Sequence, residues 1–308
     1  MSSCAIEIRS LSKTFKGELG EKATRALSSL DLDVGKGEVY AFLGPNGAGK
    51  TTAIKLMMRL IFPTSGTIAI LGEDNSKETA LRQVGYLPEQ PRMYEYLSGR
   101  EFLSFVGQLF GLDKKEQVRR IDTLLHQVGL RQRGDSAIRS YSRGMMQRLG
   151  LAQALINDPA ILILDEPMAS LDPGGRKDFR DLILGQREKG KTVFFSSHIL
   201  SDAEMIADRV GIVNRGKMVR QGTLDEVAGK EIHSIEVTFM LSAEARADLD
   251  ITDEQLVSQG NHYLLRLDHE NMISATIAMI EKAGGRITSI IPRKKNLEEI
   301  FMDEVGEE

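Results

Sequence analysis

A short unbroken apolar run, Val39 to Leu43, leads directly into Gly44-Pro45-Asn46-Gly47-Ala48-Gly49-Lys50-Thr51-Thr52, and an amphipathic segment follows from Thr51 to about Ile61. No other part of the chain restricts its fold as tightly. A run with no polar alternation reads as a strand buried on both faces, as in a parallel sheet. The spacing G-x-x-x-x-G-K-[ST] gives a loop whose glycines let successive backbone N–H groups point into one concavity. The start of the following helix adds partial positive charge there, so phosphate oxygens find donors without a bulky side chain between. Lys50 then reaches the β and γ phosphates of a nucleoside triphosphate, and the Thr51 hydroxyl completes a Mg²⁺ shell. Two further runs, Ile161 to Leu164 and Thr192 to Phe195, precede helix-compatible sequence, which predicts a parallel sheet with crossover helices.

The surrounding sequence fills in the organisation. Ala5 to Leu11 and Leu30 to Val34 alternate apolar and polar residues, the pattern of an antiparallel sheet with one solvated face. From about Met93 to Asn157 strand signals give way to helical spacing, as in Phe102, Phe105, Val106, Leu109 and Ile121, Leu124, Leu125, Val128, and predict a helical insert. Composition changes near Gly229. Of the 29 glycines 25 lie before residue 230, and residues 230–308 carry eight basic against sixteen acidic side chains. A boundary is therefore expected there, with residues 1–229 as one domain and 230–308 as a small α+β domain. The latter is expected to hold strands at Ser234 to Leu241, His262 to Leu267 and Arg286 to Ile291, a helix at Met272 to Lys282 and a last helix from Asn296. The front portion holds only a mild excess of basic residues, too small to argue for nucleic acid.

Met1 to Ser10 lacks the charged start and apolar run of a secretory leader, and no stretch of the chain approaches 18 apolar residues. Export and membrane spanning are not expected. Cys4 is the single cysteine, so an internal disulfide is excluded.

The second chemical signal is Ile161-Leu-Ile-Leu-Asp165-Glu166-Pro167, a buried strand that ends in adjacent carboxylates. Neighbouring residues at a strand end point in different directions, so Asp165 can bind Mg²⁺ or its water while Glu166 aims at a water placed to attack the γ phosphorus.

With these residues in place, residues 1 to about 229 resemble the ATP-binding cassette (ABC) ATPases. Tyr141-Ser142-Arg143-Gly144-Met145-Met146-Gln147-Arg148-Leu149 resembles the signature that opens a helix, Ser170-Leu171-Asp172 the D-loop, and His198 the switch histidine. Phe15 stands where the family has an adenine-stacking aromatic. The resemblance implies an ATPase that uses ATP and Mg²⁺ on a P-loop NTPase core, with an antiparallel β subdomain and a helical insert. It also implies a head-to-tail homodimer in which Ser142 and Gly144 of one copy face the γ phosphate held by the other. Glu166 would polarise water and His198 would contact the γ phosphate. There are three departures from the family pattern. Arg143 and Met145 stand where glycine and glutamine are usual, and Ala169-Ser170 precedes Leu171-Asp172. In Tyr86-Leu-Pro-Glu89-Gln90 the Q-loop position falls on Glu89 by register, and either Glu89 or Gln90 can approach the Mg²⁺ shell. The other four histidines, His126, His233, His262 and His269, lack metal-ligand spacing.

The wording of YSRGMMQRLGLAQAL, GYLPEQ and MYEYLSGREFL is similar to ATPase subunits of ABC-2 type exporters, and the tail to their small C-terminal domain. The resemblance implies a peripheral subunit on the cytoplasmic face of the membrane. A separate integral-membrane permease would dock near Met93 to Glu101, where Tyr94 and Tyr96 lie. A soluble ABC-type switch acting on DNA or the ribosome is the alternative, although a single cassette, a modest insert and one cysteine are not its usual marks. A P-loop kinase would carry no signature helix.

Overall fold

The structure, a computed structural model, describes residues 4–17, 23–228, 234–242, 245, 256–293 and 297–306. Gly229, His233 and Asn296, which the sequence singled out, lie outside the described residues. The chain divides into two compact units, Met1–Val227 together with Phe301–Glu308, and Ala228–Ile300.

In chain order the first part runs β1 (Cys4–Phe15), β2 (Thr24–Gly35), β3 (Val39–Leu43), α1 (Lys50–Met57), β4 (Ser65–Ile70), β5 (Glu73–Asp74), α2 (Glu78–Leu81), β6 (Val84–Leu87), α3 (Gly99–Leu109), α4 (Lys114–Gln127), α5 (Arg143–Leu155), β7 (Ile161–Leu164), α6 (Pro173–Glu188), β8 (Thr192–Ser197), α7 (Leu200–Ile206), β9 (Arg209–Asn214), β10 (Lys217–Thr223) and α8 (Leu224–Ala228). Two sheets organise it. One has the order β2-β1-β4-β5 and is antiparallel; the other has the order β10-β9-β3-β8-β7-β6, parallel except for β10.

One core joins the sheets through α1, whose Ala53, Ile54, Leu56 and Met57 are buried with Ile6, Ile8, Leu30 and Leu32 of the antiparallel sheet. Tyr40, Phe42, Ile161, Ile163 and Phe194 of the parallel sheet complete it. Alternate residues of β3 and β7 thus serve this face, and the intervening ones are equally buried, which is why these strands carry no polar alternation.

The expected α/β architecture with a helical insert is what the chain adopts, and two details differ from the sequence reading. The antiparallel strands are longer than the alternation suggested. Register shifts between Ile8 and Leu11 and between Lys13 and Thr14, with Ser10 and Ser29 at positive φ, break the period-two pattern where bulges insert extra residues. Helix α1 ends at Met57 rather than near Ile61. The Asn75 side-chain amide donates to the carbonyls of Leu56 and Met57 at 2.9 and 3.1 Å, a C-terminal cap supplied from outside the helix.

The second unit holds β11 (Ser234–Met240), β12 (Leu256–Gln259), β13 (His262–Leu267), α9 (Ile273–Lys282) and β14 (Arg286–Arg293), and α10 (Leu297–Gly306) closes the described chain. Its antiparallel sheet has the order β12-β13-β11-β14. Ile235, Val237, Phe239, Tyr263, Leu265 and Leu267 form one buried face with Ile280 of α9. On the opposite face Glu236 pairs with Arg266 and Arg293 at 3.4 and 2.8 Å.

Candidate active site

Parallel strands deliver their C-terminal ends to one edge of a sheet, and that edge is where ligands bind in open α/β folds. Here β3, β8 and β7 lie side by side, with Leu43 opposite Ser197 and Leu164 opposite Phe195. The loop Gly44–Gly49, the pair Asp165-Glu166 and His198 all leave that edge together.

Backbone constraint explains the loop sequence. Gly49 sits at φ +105 as the N-cap of α1, and a Cβ there would come within 2.6 Å of the Ala26 carbonyl oxygen. Only glycine satisfies both demands. The loop curls around the Lys50 ammonium, which donates to the Gly44 and Pro45 carbonyls at 2.7 and 3.1 Å. Lys50 also pairs with Glu166 Oε1 at 3.2 Å, both side chains being over 90% buried.

The second Glu166 oxygen, Oε2, lies 2.8 Å from His198 Nδ1 and accepts the His198 backbone N–H at 3.3 Å. Glu166 itself is held at φ +46. A non-glycine residue in that region costs on the order of 1–3 kcal/mol and persists only where its surroundings over-determine it.

Asp165 is buried behind this pair. Its Oδ1 accepts from Ser196 Oγ at 2.7 Å and from Thr51 Oγ1 at 3.3 Å, and Ser196 Oγ in turn accepts the Glu166 N–H at 2.9 Å. Burial pushes the Asp165 carboxyl above its ordinary range and the Glu166 charge adds to this. The hydrogen bonds from Ser196 and Thr51 and the Lys50 charge act against it.

These groups border a cleft of about 350 Å³ lined by Ala26, Pro45, Asn46, Gly47, Gly49, Lys50, Thr51, Thr52, Glu89, Glu166, Ala169 and His198. Gly44, Ala48 and Asp165 are buried rather than lining it. Of the two Q-loop alternatives Glu89 lines both this cleft and a neighbouring cavity, whereas Gln90 lines that neighbouring cavity, with Tyr141, Arg143, Gln147 and Ser170, and not the cleft. Phe15 is 42% exposed with the Lys13 ammonium 5.0 Å above its ring, and it is not among the lining residues.

Ser142 and Gly144 do not line the cleft either. Ser142 is the N-cap of α5, its Oγ accepting the Met145 N–H at 3.3 Å, and it is exposed. Asp172 caps α6 in the same way, accepting from Gly175 N–H at 3.1 Å.

Sequence reasoning missed Ala26 and Ser196, and it named Ala169 only as a departure beside the D-loop. For Ser196 a signal was present, since two hydroxyl residues interrupt the apolar run just before His198 and buried hydroxyls need partners. Ala26 arrives from the antiparallel sheet, and nothing local announces it.

The donor set suits Mg²⁺. Thr51 Oγ1 and Asp165 Oδ1 are neighbouring oxygen donors, and among the described residues no three His, Cys, Asp or Glu side chains form an all-protein cage. Mg²⁺ typically takes one or two carboxylates and completes its shell with phosphate oxygens and water. Among the described residues no helix is long and apolar enough to cross a membrane.

Residues 27–169 match the family model described as ABC transporter. An uncharacterized ABC transporter ATP-binding protein of Synechocystis sp. is 37% identical over 308 residues, covering 98% of this chain and 85% of that one. The bacitracin transport ATP-binding protein BcrA of Bacillus licheniformis is 36% identical, covering 92% of this chain and 93% of its own. A dimeric, post-hydrolysis ATP-binding cassette bound to ADP and Pi has a TM-score of 0.65 at 25% identity, covering 71% of this chain and 99% of that one. The chain therefore belongs to the ABC transporter ATP-binding proteins, and it is an ATPase.

Proposed function

We propose that this ATPase powers export of a substrate through a separate membrane permease, by ATP-driven closure of a head-to-tail dimer of its nucleotide-binding domains. In this reading residues 1–229 form that domain, 230–308 a small C-terminal domain, and the subunit sits peripherally on the cytoplasmic face of the membrane. The single observation that carries the reading is the split of the expected site. Lys50, Thr51, Glu166 and His198 share one cleft, with Asp165 buried behind it, whereas Ser142 stands exposed at the start of α5 and outside it. A second copy supplies that helix start, whose free N–H groups and hydroxyl suit an anion. The dimeric cassette bound to ADP and Pi and the bacitracin transport subunit support the dimer and the transport role.

The chain's own residues account for the order of events. Lys50 holds Glu166 Oε1 and two loop carbonyls, so a bound phosphate draws the ammonium away from the carboxylate. Oε1 is then free to take a proton from the attacking water, while Oε2 stays fixed by His198. The base is thereby released only when phosphate is present. Thr51 and Asp165 would hold Mg²⁺, with Glu89 or Gln90 approaching its shell, and the ion when bound neutralises charge on the phosphate oxygens.

The permease docks on the exposed aromatic surface of the insert. Tyr94 and Tyr96 are 49% and 76% exposed, with Tyr94 5.9 Å from Tyr96 and 5.6 Å edge-on to Phe105. Amphipathic aromatic rings suit a partner interface. Nucleic acid is not a partner in this reading. Co-expression with a multi-span membrane protein from the same gene neighbourhood tests the proposal. Stable co-purification with stimulated hydrolysis supports it, and hydrolysis stimulated by DNA or ribosomes with no membrane partner contradicts it.

A further inference from the structure

The route into Ser142 has a construction that the active site does not explain. Residues 137–141, which lead to that serine, run beside the aromatic loop 94–98 and are tied to it by backbone bonds. Arg139 N–H donates to Glu95 O at 2.9 Å and Ile138 N–H to Leu97 O at 2.8 Å, while Ser98 and Ala137 form an isolated antiparallel bridge. The loop is then locked onto α3 by a reciprocal capping box between Ser98 and Glu101, and Arg100 N–H donates to Gly134 O at 2.8 Å.

Tyr141 closes this assembly. Its hydroxyl donates to the Arg133 carbonyl at 2.7 Å and lies over Gly99, where an added Cβ would stand 2.5 Å from the phenolic oxygen. Gly99 occupies the first position of α3 without positive φ. Its backbone therefore does not demand glycine, and glycine is a poor helix former. What it accommodates is the phenol, the next nearest atom to such a Cβ being Gly134 O at 3.4 Å.

We propose that Tyr141 is a positioning residue that fixes the Ser142 helix start relative to the aromatic loop Tyr94–Leu97, so that what binds the loop sets the aim of the serine. This rests on the reading that Ser142 serves the nucleotide of a second copy. Ser142 is one peptide bond from Tyr141, so a displaced phenol carries the Ser142 Oγ with it. The Lys50 cleft is not lined by Tyr141 and keeps its own affinity.

The test uses the full-length chain and the variants Gly99→Ala, Tyr141→Phe, their combination and Ser142→Ala. The measurements are kcat, KM and Hill coefficient for Mg-ATP, calorimetric Kd for Mg-ADP, and Tm. Gly99→Ala is expected to lower kcat by about 3- to 30-fold, the range of coupling seen for residues that touch neither ligand, with Kd for Mg-ADP within about twofold. Adding Tyr141→Phe removes the clashing atom and restores most of the lost kcat. A Gly99→Ala kcat equal to wild type, or a double variant no better than Gly99→Ala, overturns the proposal. So does a loss that tracks Tm alone. If Gly99→Ala does not fold, Tyr141→Ala, which removes the ring that Tyr141→Phe keeps, carries the same test, lowered kcat at retained Kd supporting the proposal and wild-type kcat overturning it. Ser142→Ala separates the two levels. If it lowers kcat while the Gly99 and Tyr141 variants do not, only the role of Tyr141 fails; if it leaves kcat and cooperativity unchanged, the reading of Ser142 fails and takes this proposal with it.

Discussion

Glu166→Gln keeps the side chain's shape and removes its charge and its capacity to take a proton. Three contacts change character: Lys50 at 3.2 Å from Oε1, and His198 Nδ1 at 2.8 Å and N–H at 3.3 Å from Oε2. Removing one member of a buried ion pair costs about 3–5 kcal/mol when its partner is left alone. Lys50 is not left alone, since the Gly44 and Pro45 carbonyls remain at 2.7 and 3.1 Å, and the glutamine oxygen still accepts. A loss of about 1–3 kcal/mol follows, the worth of a hydrogen bond to a charged group. At roughly 2–4 °C per kcal/mol, the variant stays folded at an ordinary assay temperature.

Loss of the general base is larger, about 10²- to 10⁴-fold in kcat, or roughly 3–5 kcal/mol of barrier. Nucleotide affinity moves the other way or not at all, because Lys50 no longer has the carboxylate competing for it. Steady-state phosphate release, a calorimetric ATP titration and thermal melting on the same preparation separate these effects. A folded variant whose kcat lies within about threefold of wild type would refute the assignment of Glu166 as base.

Lys50→Ala is expected to weaken ATP binding by about 10- to 100-fold, as the loss of a charged hydrogen bond implies; unchanged affinity by calorimetry removes Lys50 from the phosphate site. Asp165→Asn should abolish Mg²⁺-dependent hydrolysis yet raise Tm at neutral pH. Burial raises the Asp165 carboxyl pKa in the folded state, so its favourable contribution is complete below the unfolded carboxylate range and is lost as pH rises through the folded value. The Tm gap should therefore close on acidification, and a gap independent of pH contradicts the argument. The double substitution Tyr94→Ser, Tyr96→Ser removes exposed rings and should preserve folding and basal hydrolysis while losing co-purification with the membrane partner; retained capture of that partner moves the docking surface elsewhere.

The parts of the molecule legible in the sequence are those fixed by local demands. The strand Val39–Leu43 and the loop after it announce themselves because double-sided burial, glycine geometry and a phosphate site each restrict residue type. Asp165 and Glu166 followed from their place at the end of an apolar run, and His198 from the resemblance to the ABC ATPases. What escaped depends on partners distant in sequence. Helix α1 ends where Arg59 turns to φ +55, with Leu60 N–H closing on the Lys55 carbonyl at 2.8 Å and Asn75 satisfying the Leu56 and Met57 carbonyls, and an arginine gives no signal of such a turn in the sequence. The bulges in β1 and β2 scramble an alternation that would otherwise have given their full length. Short strands such as Val84–Leu87 carry too few residues for a period to emerge, and a tyrosine seated over Gly99 is visible only once α3 and the approach to α5 are side by side.

The central claim is that two copies of the chain enclose the nucleotide, and the mass of the hydrolysis-deficient chain in solution tests it most directly. Light scattering on Glu166→Gln saturated with Mg-ATP should give twice the 34.1 kDa of one chain, reverting to a single chain when ADP replaces ATP or when Ser142→Ala is added. A mass of one chain under saturating Mg-ATP, with binding verified on the same sample, would contradict the account.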